Sequence, residues 1–234
     1  MRILLDYFLY IFKIFTLIII QSCSVESNYF PLKENVQKSY NIFFTDKENK
    51  KKHFKQFYTS LKSKDDLHPI LRNDGQISFY LNTPEGLIRK SNDYFFSSFI
   101  SLPRDKLDRY DNQTILKYPV KEGVEWTNND KTNIIMKLGY DRVYQTFLPF
   151  EMRNVIISVN EIVNIEGKKF FNCIKVEGNG TASYNPGPPL DNIDIKIKTE
   201  SWYAPNFGLV KHLREEQSNS ETMGTIFYEK VINL

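Results

Sequence analysis

Hydrophobic and polar positions alternate with a period of two along much of the chain. Ile193, Ile195 and Ile197 alternate with Asp194, Lys196 and Lys198, which turns one face of an extended segment to a core and the other to water. That segment runs on through Thr199 to Tyr203. Val155 to Ile165 and Phe170 to Val176 are β-branched and aromatic runs separated by Glu166-Gly167-Lys168-Lys169, a hairpin signal in which Gly supplies a positive φ. Ile77 to Leu81 and Gly86 to Lys90 flank Asn82-Thr83-Pro84-Glu85 in the same way, and Thr225 to Val231 supplies a strand near the C-terminus. Short strands joined by turns predict a mainly β domain: an antiparallel curved sheet, either a sandwich or an open half-barrel.

One segment admits two readings. Phe54, Phe57, Tyr58 and Leu61 stand at helical spacing behind a Thr45-x-x-Glu48 capping box, which suits an amphipathic helix over residues 47–62. A strand over residues 51–63 is preferred, because Asn41 to Thr45 and Ile77 to Leu81 would pair with it in a meander. Residues 103–114, rich in charge, Asp and Asn, read as a surface loop, and Gly178-Asn179-Gly180 reads as part of a β-turn. The run Phe30-Pro31-Leu32-Lys33-Glu34-Asn35-Val36 aligns without gaps to Tyr118-Pro119-Val120-Lys121-Glu122-Gly123-Val124. In both, an aromatic-Pro pair sets an extended approach, and the Asn or Gly after Glu suits a left-handed turn before the next strand. A pseudo-repeat is therefore expected, with copies starting near residues 29 and 117.

The N-terminus breaks the pattern. An apolar run from Leu4 to Ile20 behind Arg2 ends at Ile20-Gln21-Ser22-Cys23. Its length suits a secretory signal better than a spanning helix. The junction resembles a lipobox, which implies cleavage between Ser22 and Cys23 and a diacylglycerol thioether on Cys23. Residues 1–22 are thus expected to be a lipoprotein signal peptide, residues 23–28 a lipidated tether, and residues 29–234 one β-rich periplasmic domain. Acyl chains on Cys23 would make the membrane a partner through a lipid anchor. An uncleaved signal anchor is the rival, favoured by Asp6 and Lys13 within the run. Ser24 after the cysteine, where enterobacterial sorting would use an aspartate for retention, points to the outer membrane.

The whole chain carries a net charge of +3, and removal of residues 1–22 takes away Arg2, Lys13 and Asp6 to leave +2. That balance gives no support to a nucleic-acid surface. Eighteen Phe and fourteen Tyr are enough to fill a core or line a cavity. With Cys23 acylated, Cys173 has no partner, so the fold must stand without an internal disulfide.

Residues Tyr29 to Glu34, Tyr118 to Trp126, Phe171-Asn172-Cys173 and, above all, Trp202-Tyr203-Ala204-Pro205-Asn206-Phe207-Gly208-Leu209-Val210-Lys211 resemble a group of bacterial envelope lipoproteins of the TapB-like kind. The sequence departs from that pattern at Asn35, Lys38 and Phe207, where the group tends to have Gly, Trp and a small aliphatic residue. The resemblance implies an exported, β-rich, non-enzymatic protein.

The chemistry-bearing residues give little to set against that. His53, His68 and His212 lack paired spacing, so no metal site is expected. No Gly-x-Ser-x-Gly elbow and no phosphate-cradling loop occurs. Cys173 in an apolar strand reads as a buried, inert thiol. Asp65-Asp66 and the pair Asp108 and Asp111 miss the spacing of a calcium loop. No cofactor and no catalytic residue is expected. Trp202, Tyr203 and Phe207 are either hairpin punctuation or a binding tip. The function expected is a non-catalytic structural or protein-interaction module of the cell envelope. A carrier of a lipid or other hydrophobic ligand is the alternative, and a cryptic enzyme the third.

Overall fold

A computed structural model describes residues 28–64, 66–91, 111–134, 136–138, 144–185, 192–221 and 223–234. The signal segment, Ser22, Cys23 and most of the tether lie outside the described residues, as do Asp65 and Asp108. Among the described residues no helix is long and apolar enough to cross a membrane, and all regular structure is β.

Fourteen strands follow in chain order: β1 (Gln37–Thr45), β2 (Lys51–Ser60), β3 (Leu67–Arg72), β4 (Ile77–Thr83), β5 (Gly86–Ser91), β6 (Asp111–Lys117), β7 (Glu125–Lys131), β8 (Met136–Leu138), β9 (Tyr144–Thr146), β10 (Pro149–Ile165), β11 (Lys168–Tyr184), β12 (Ile193–Ala204), β13 (Gly208–Ser218) and β14 (Thr225–Asn233). Strands β8 and β9 pair with each other. The other twelve form one antiparallel sheet in the order β6-β5-β4-β3-β2-β1-β14-β13-β12-β11-β10-β7. The sheet curls until its edges meet, and β6 is stitched to β7 by side chains. Trp126 Nε1 donates to the Thr114 carbonyl at 2.8 Å, Asn128 bonds both main-chain groups of Thr114, and Gln113 Nε2 donates to the Asn129 carbonyl at 3.2 Å. The result is a nearly closed barrel, the closed end of the expected range of curved sheets.

Alternation decides which side chains enter the barrel. On β12 Ile195 and Ile197 are fully buried while Lys196 and Lys198 are exposed. The expected hairpin after β10 turns through Glu166 at φ 50° and Gly167 at φ 87°, a two-residue connection whose positive φ values match the strand twist. Three apolar clusters form the core. One gathers Tyr40, Ile42, Val163, Ile165, Phe170, Cys173 and Val210; a second Ile134, Phe150, Met152, Ile195 and Ile197; a third Leu87, Leu116, Trp126, Ile156, Ile174 and Tyr203.

Residues 51–60 are a strand, as preferred, and pair with β1 from Gln37↔Thr59 to Thr45↔Lys51. The expected pairing with Ile77 to Leu81 does not occur: β3 lies between, and β4 pairs with β3 and β5. Strand β3 has no alternation to reveal it, since all six positions are half-buried. Residues 111–114 belong to β6 and not to a surface loop; the polarity of Gln113 and Thr114 reflects the seam and the interior beside them. Gly178-Asn179-Gly180 is not a turn but the middle of β11. A Cβ on Gly178 would lie 2.3 Å from Thr199 Oγ1, and one on Gly180 2.5 Å from the Phe150 ring, so both glycines make room for inward side chains of neighbouring strands.

The two aligned runs make the same local bonds. Asn35 (φ 55°) donates its N–H to the Ser60 carbonyl, and Ser60 N–H returns to Val36. Gly123 (φ 80°) donates to the Ile156 carbonyl, and Ile156 N–H returns to Val124. The Tyr118-Pro119 bond is cis.

Candidate functional site

The barrel is hollow between its apolar clusters. Among the described residues, a cavity of about 610 Å³ is lined from nearly every strand, by five cationic side chains (Lys38, Arg72, Arg89, Arg214 and Lys230) against the single carboxylate of Asp130, and by Tyr40, Tyr58, Tyr80, Tyr203 and Tyr228. Register explains the convergence. Lys230 on β14 opposes His212 on β13, His212 opposes Ser201 on β12, and Ser201 opposes Val176 on β11, so one inward row crosses four strands. Tyr80, Arg89 and Gln113 form a second inward row across β4, β5 and β6.

The cations differ in how they are held. Arg214 is fully engaged: its Nε donates to Glu216 and its two terminal nitrogens to Asp130 and the Lys131 carbonyl, each at 2.7 Å. Glu216, completely buried, also accepts from the N–H groups of Asn133 and Ile134 at 2.7 to 2.9 Å. Arg72 forks onto Asp74, with its Nε 2.8 Å from each carboxylate oxygen, and this bond holds the Asp74 carboxyl below its ordinary range. Lys38 donates to the Phe207 carbonyl at 2.5 Å, and burial, then Lys33, lowers its pKa.

Arg89 and Lys230 have no carboxylate partner among the described residues. One terminal nitrogen of Arg89 donates to Gln113 Oε1, while its buried Nε has no partner. Lys230 Nζ lies 4.3 Å from the ring centre of Tyr40 and 3.9 Å from that of Tyr58. Those rings offer the ammonium a cation–π contact. Burial, then Arg89 and Arg72, pushes the Lys230 pKa down to about 7.

His212 shares a hydrogen bond of 2.8 Å between Nδ1 and Ser201 Oγ. Burial, then Lys230, Arg214 and Arg89, pushes its pKa down to about 3. The imidazole is therefore neutral near pH 7 and a weak base, unsuited to activating Ser201. Burial raises the phenols of Tyr40 and Tyr58, and those of Tyr203 and Tyr228 to about 12, so all four stay protonated hydroxyls.

Of the sequence-predicted binding tip Trp202, Tyr203 and Phe207, only Tyr203 lines this cavity. It is 7% exposed. Trp202, next along β12, points to the other face, where Lys175 and Lys211 lie 5.4 and 5.8 Å from its rings. Phe207, in the turn beyond, packs at 5.1 Å on Phe170 with Lys38 and Lys168 over it. The three are not brought onto one surface. Cys173 is buried in the first cluster, and burial pushes its thiol up to about 11. His53 stacks on Phe43 at 4.6 Å on the outer wall, and His68 bonds Ser63. No group of three or more His, Cys, Asp or Glu able to hold a metal occurs among the described residues.

Sequence reading missed Arg89, His212 and Lys230 as a set. The available signal was phase: on β14 the inward positions run Ile226, Tyr228, Lys230, Ile232, placing a lysine where alternation demands an apolar residue.

No family model matches the chain, and no curated protein matches it. The chain is similar to solved structures, among them three lipoproteins or exported proteins. The hypothetical lipoprotein YmcC from Escherichia coli K12 is 11% identical, over 86% of this chain and 87% of its own, with a TM-score of 0.37. A hypothetical exported protein with a YmcC-like fold from Bacteroides fragilis is 15% identical over 89% of this chain and 100% of its own, with a TM-score of 0.37. A hypothetical lipoprotein from Parabacteroides distasonis is 14% identical over 88% of this chain and 97% of its own, with a TM-score of 0.38.

Proposed function

We propose that this protein is a non-catalytic binding module of a bacterial cell envelope, tethered by a lipid on Cys23 and holding a small polar ligand inside its barrel. The observation that carries the reading is the hollow, polar interior of about 610 Å³. That volume suits a small molecule. A hydrophobic passenger fits it poorly, because Arg89 and Lys230 would lose water without gaining partners. A purely structural role leaves the cavity without a purpose, and a packed core would be more stable. The Ser201–His212 pair speaks against a hydrolase, since among the described residues no carboxylate is bonded to His212 and burial and neighbouring cations lower its basicity.

Anchoring rests on Ile20-Gln21-Ser22-Cys23 and on the position of residue 28, whose carbonyl accepts from Asn206 N–H at 2.7 Å. Six residues from Cys23 to residue 28 span at most about 20 Å, which sets the turn around Asn206 towards the membrane. The matching main-chain bonds at Asn35 and Gly123 support reading residues 29 and 117 as the starts of two equivalent halves.

Two comparisons test the proposal. Small molecules released on denaturing the full-length protein, purified in a non-ionic detergent, are compared by mass spectrometry with those from Ser78→Trp, which fills the cavity from β4. A compound present in the first and absent from the second is expected; identical profiles overturn the reading. Cys23→Ser is expected to abolish palmitate incorporation, and persistent labelling would remove the anchor.

A further inference from the structure

We infer that the ligand is anchored by an oxyanion, a phosphate, sulfate or carboxylate group, seated between Arg89 on β5 and Lys230 on β14. This rests on the binding reading above and adds the chemical class that the cavity selects.

Among the described residues, every cation of the interior except these two has a carboxylate or a main-chain carbonyl as partner. Arg214 meets Glu216, Asp130 and a carbonyl; Arg72 meets Asp74; Lys38 meets the Phe207 carbonyl. Buried charge is ordinarily paired in this way because desolvation otherwise penalises it. Arg89 and Lys230 stand outside the scheme. Arg89 lowers the basicity of Lys230, both lower that of His212, and among the described residues no carboxylate is bonded to either cation. The buried Nε of Arg89 is an N–H donor with nothing to receive it, while its neighbouring nitrogen is spent on Gln113.

An anion supplies what is missing. A guanidinium presents donors in a fork that matches two oxygens of one oxyanion, and an ammonium adds a point charge from the opposite side. Neutral His212 and the protonated Tyr228 and Tyr203 can donate further hydrogen bonds without adding charge. A divalent cation is disfavoured by the same five positive groups. The gain is enlarged by the low-dielectric wall.

The full chain in a non-ionic detergent is titrated calorimetrically with phenyl phosphate, inorganic phosphate and neutral phenyl β-D-glucoside. Phenyl phosphate is expected to bind at least tenfold more tightly than the glucoside. Arg89→Gln and Lys230→Met are each expected to weaken phenyl phosphate at least tenfold, and Lys230→Met to melt no lower than wild type, so that its loss is not unfolding. Ser78→Trp is expected to block binding. Inorganic phosphate matching phenyl phosphate would identify a free anion as sufficient; weaker binding would assign the attached group a place among the tyrosines, and both support the site. Equal affinity for phosphate and glucoside, both lost in Ser78→Trp, overturns the anion site and leaves the binding module standing. Phenyl phosphate binding unchanged in Arg89→Gln and Lys230→Met overturns the anion site as well. No binding of any probe, or binding indifferent to Ser78→Trp, overturns both.

Discussion

The side-chain amide of Asn128 takes the place of a peptide group opposite Thr114. Its Oδ1 accepts the Thr114 N–H and its Nδ2 donates to the Thr114 carbonyl, both at 2.9 Å. An inward side chain of β7 thereby completes the ladder that β6 and β7 do not form with their backbones. Edge strands left open invite pairing with other chains, and this seam removes both edges at once.

Asn128→Leu should open the seam. It leaves the Thr114 N–H and one of two bonds to its carbonyl unmade, and a loss of about 1–3 kcal/mol is expected in urea unfolding. Asn128→Asp keeps the acceptor but sets a carboxylate oxygen against the Thr114 carbonyl, so it should be destabilised too. Amide exchange at Thr114 should quicken in both. Unaltered exchange would show that Trp126 and Gln113 hold the seam unaided.

Lys230 predicts a pH dependence. Its ordinary pKa of 10.5 is lowered to about 7 in the fold. Between those values the unfolded chain holds a proton that the folded chain does not, so stability rises with pH through the window and levels off below about 7. Arg72, Arg89 and neutral His212 face the ammonium from other strands, with the rings of Tyr40, Tyr58 and Tyr228 around it. Lys38, also lowered, contributes in the same sense. The difference between wild type and Lys230→Met isolates the one group: wild type should gain on the variant from pH 7 to 9.5. A constant difference would mean that the ammonium stays solvated.

Glu216 ties residues 131–134 to the wall through two N–H groups and Arg214. Glu216→Leu strands all three and should cost about 3 kcal/mol, while Glu216→Gln, which keeps an acceptor, should cost less. Thermal melts rank the two. Equal effects would make the site one of shape and not of charge.

Gly208 lies at φ +97° in the turn from β12 to β13, and the nearest atom to an added Cβ is Lys38 Nζ at 3.3 Å, the far end of a long side chain. The backbone conformation is therefore the larger constraint. Gly208→Val should lose about 1–3 kcal/mol through backbone strain. An unchanged melting midpoint would show that the left-handed conformation is not required.

Strands were legible wherever the inward face is apolar. The isoleucines of β12 and the runs that become β10 and β11 place their faces without help. Where the inward face borders the cavity the same alternation misleads, because Arg72 on β3 and Gln113 on β6 look like surface residues in one dimension. That, with the uniform half-burial of β3, hides β3 in the sequence and gives the start of β6 the polarity of a loop. The mid-strand glycines of β11 misled for a related reason: Gly178 and Gly180 serve inward neighbours, Thr199 and Phe150, that only register reveals. The cavity itself was hidden because Arg89, His212 and Lys230 are far apart in sequence and ordinary one at a time. Trp202, Tyr203 and Phe207 stood out by composition, yet alternation sends the first two to opposite faces.

A barrel that gives up stability to hold an anion should show it in melting curves of wild type and Lys230→Met against phenyl phosphate. Without ligand the variant should melt at or above wild type, since it replaces an unpaired buried ammonium with a thioether. With rising phenyl phosphate the wild-type midpoint should climb and overtake a variant that hardly moves. Parallel curves, or a variant that melts below wild type without ligand, would contradict it.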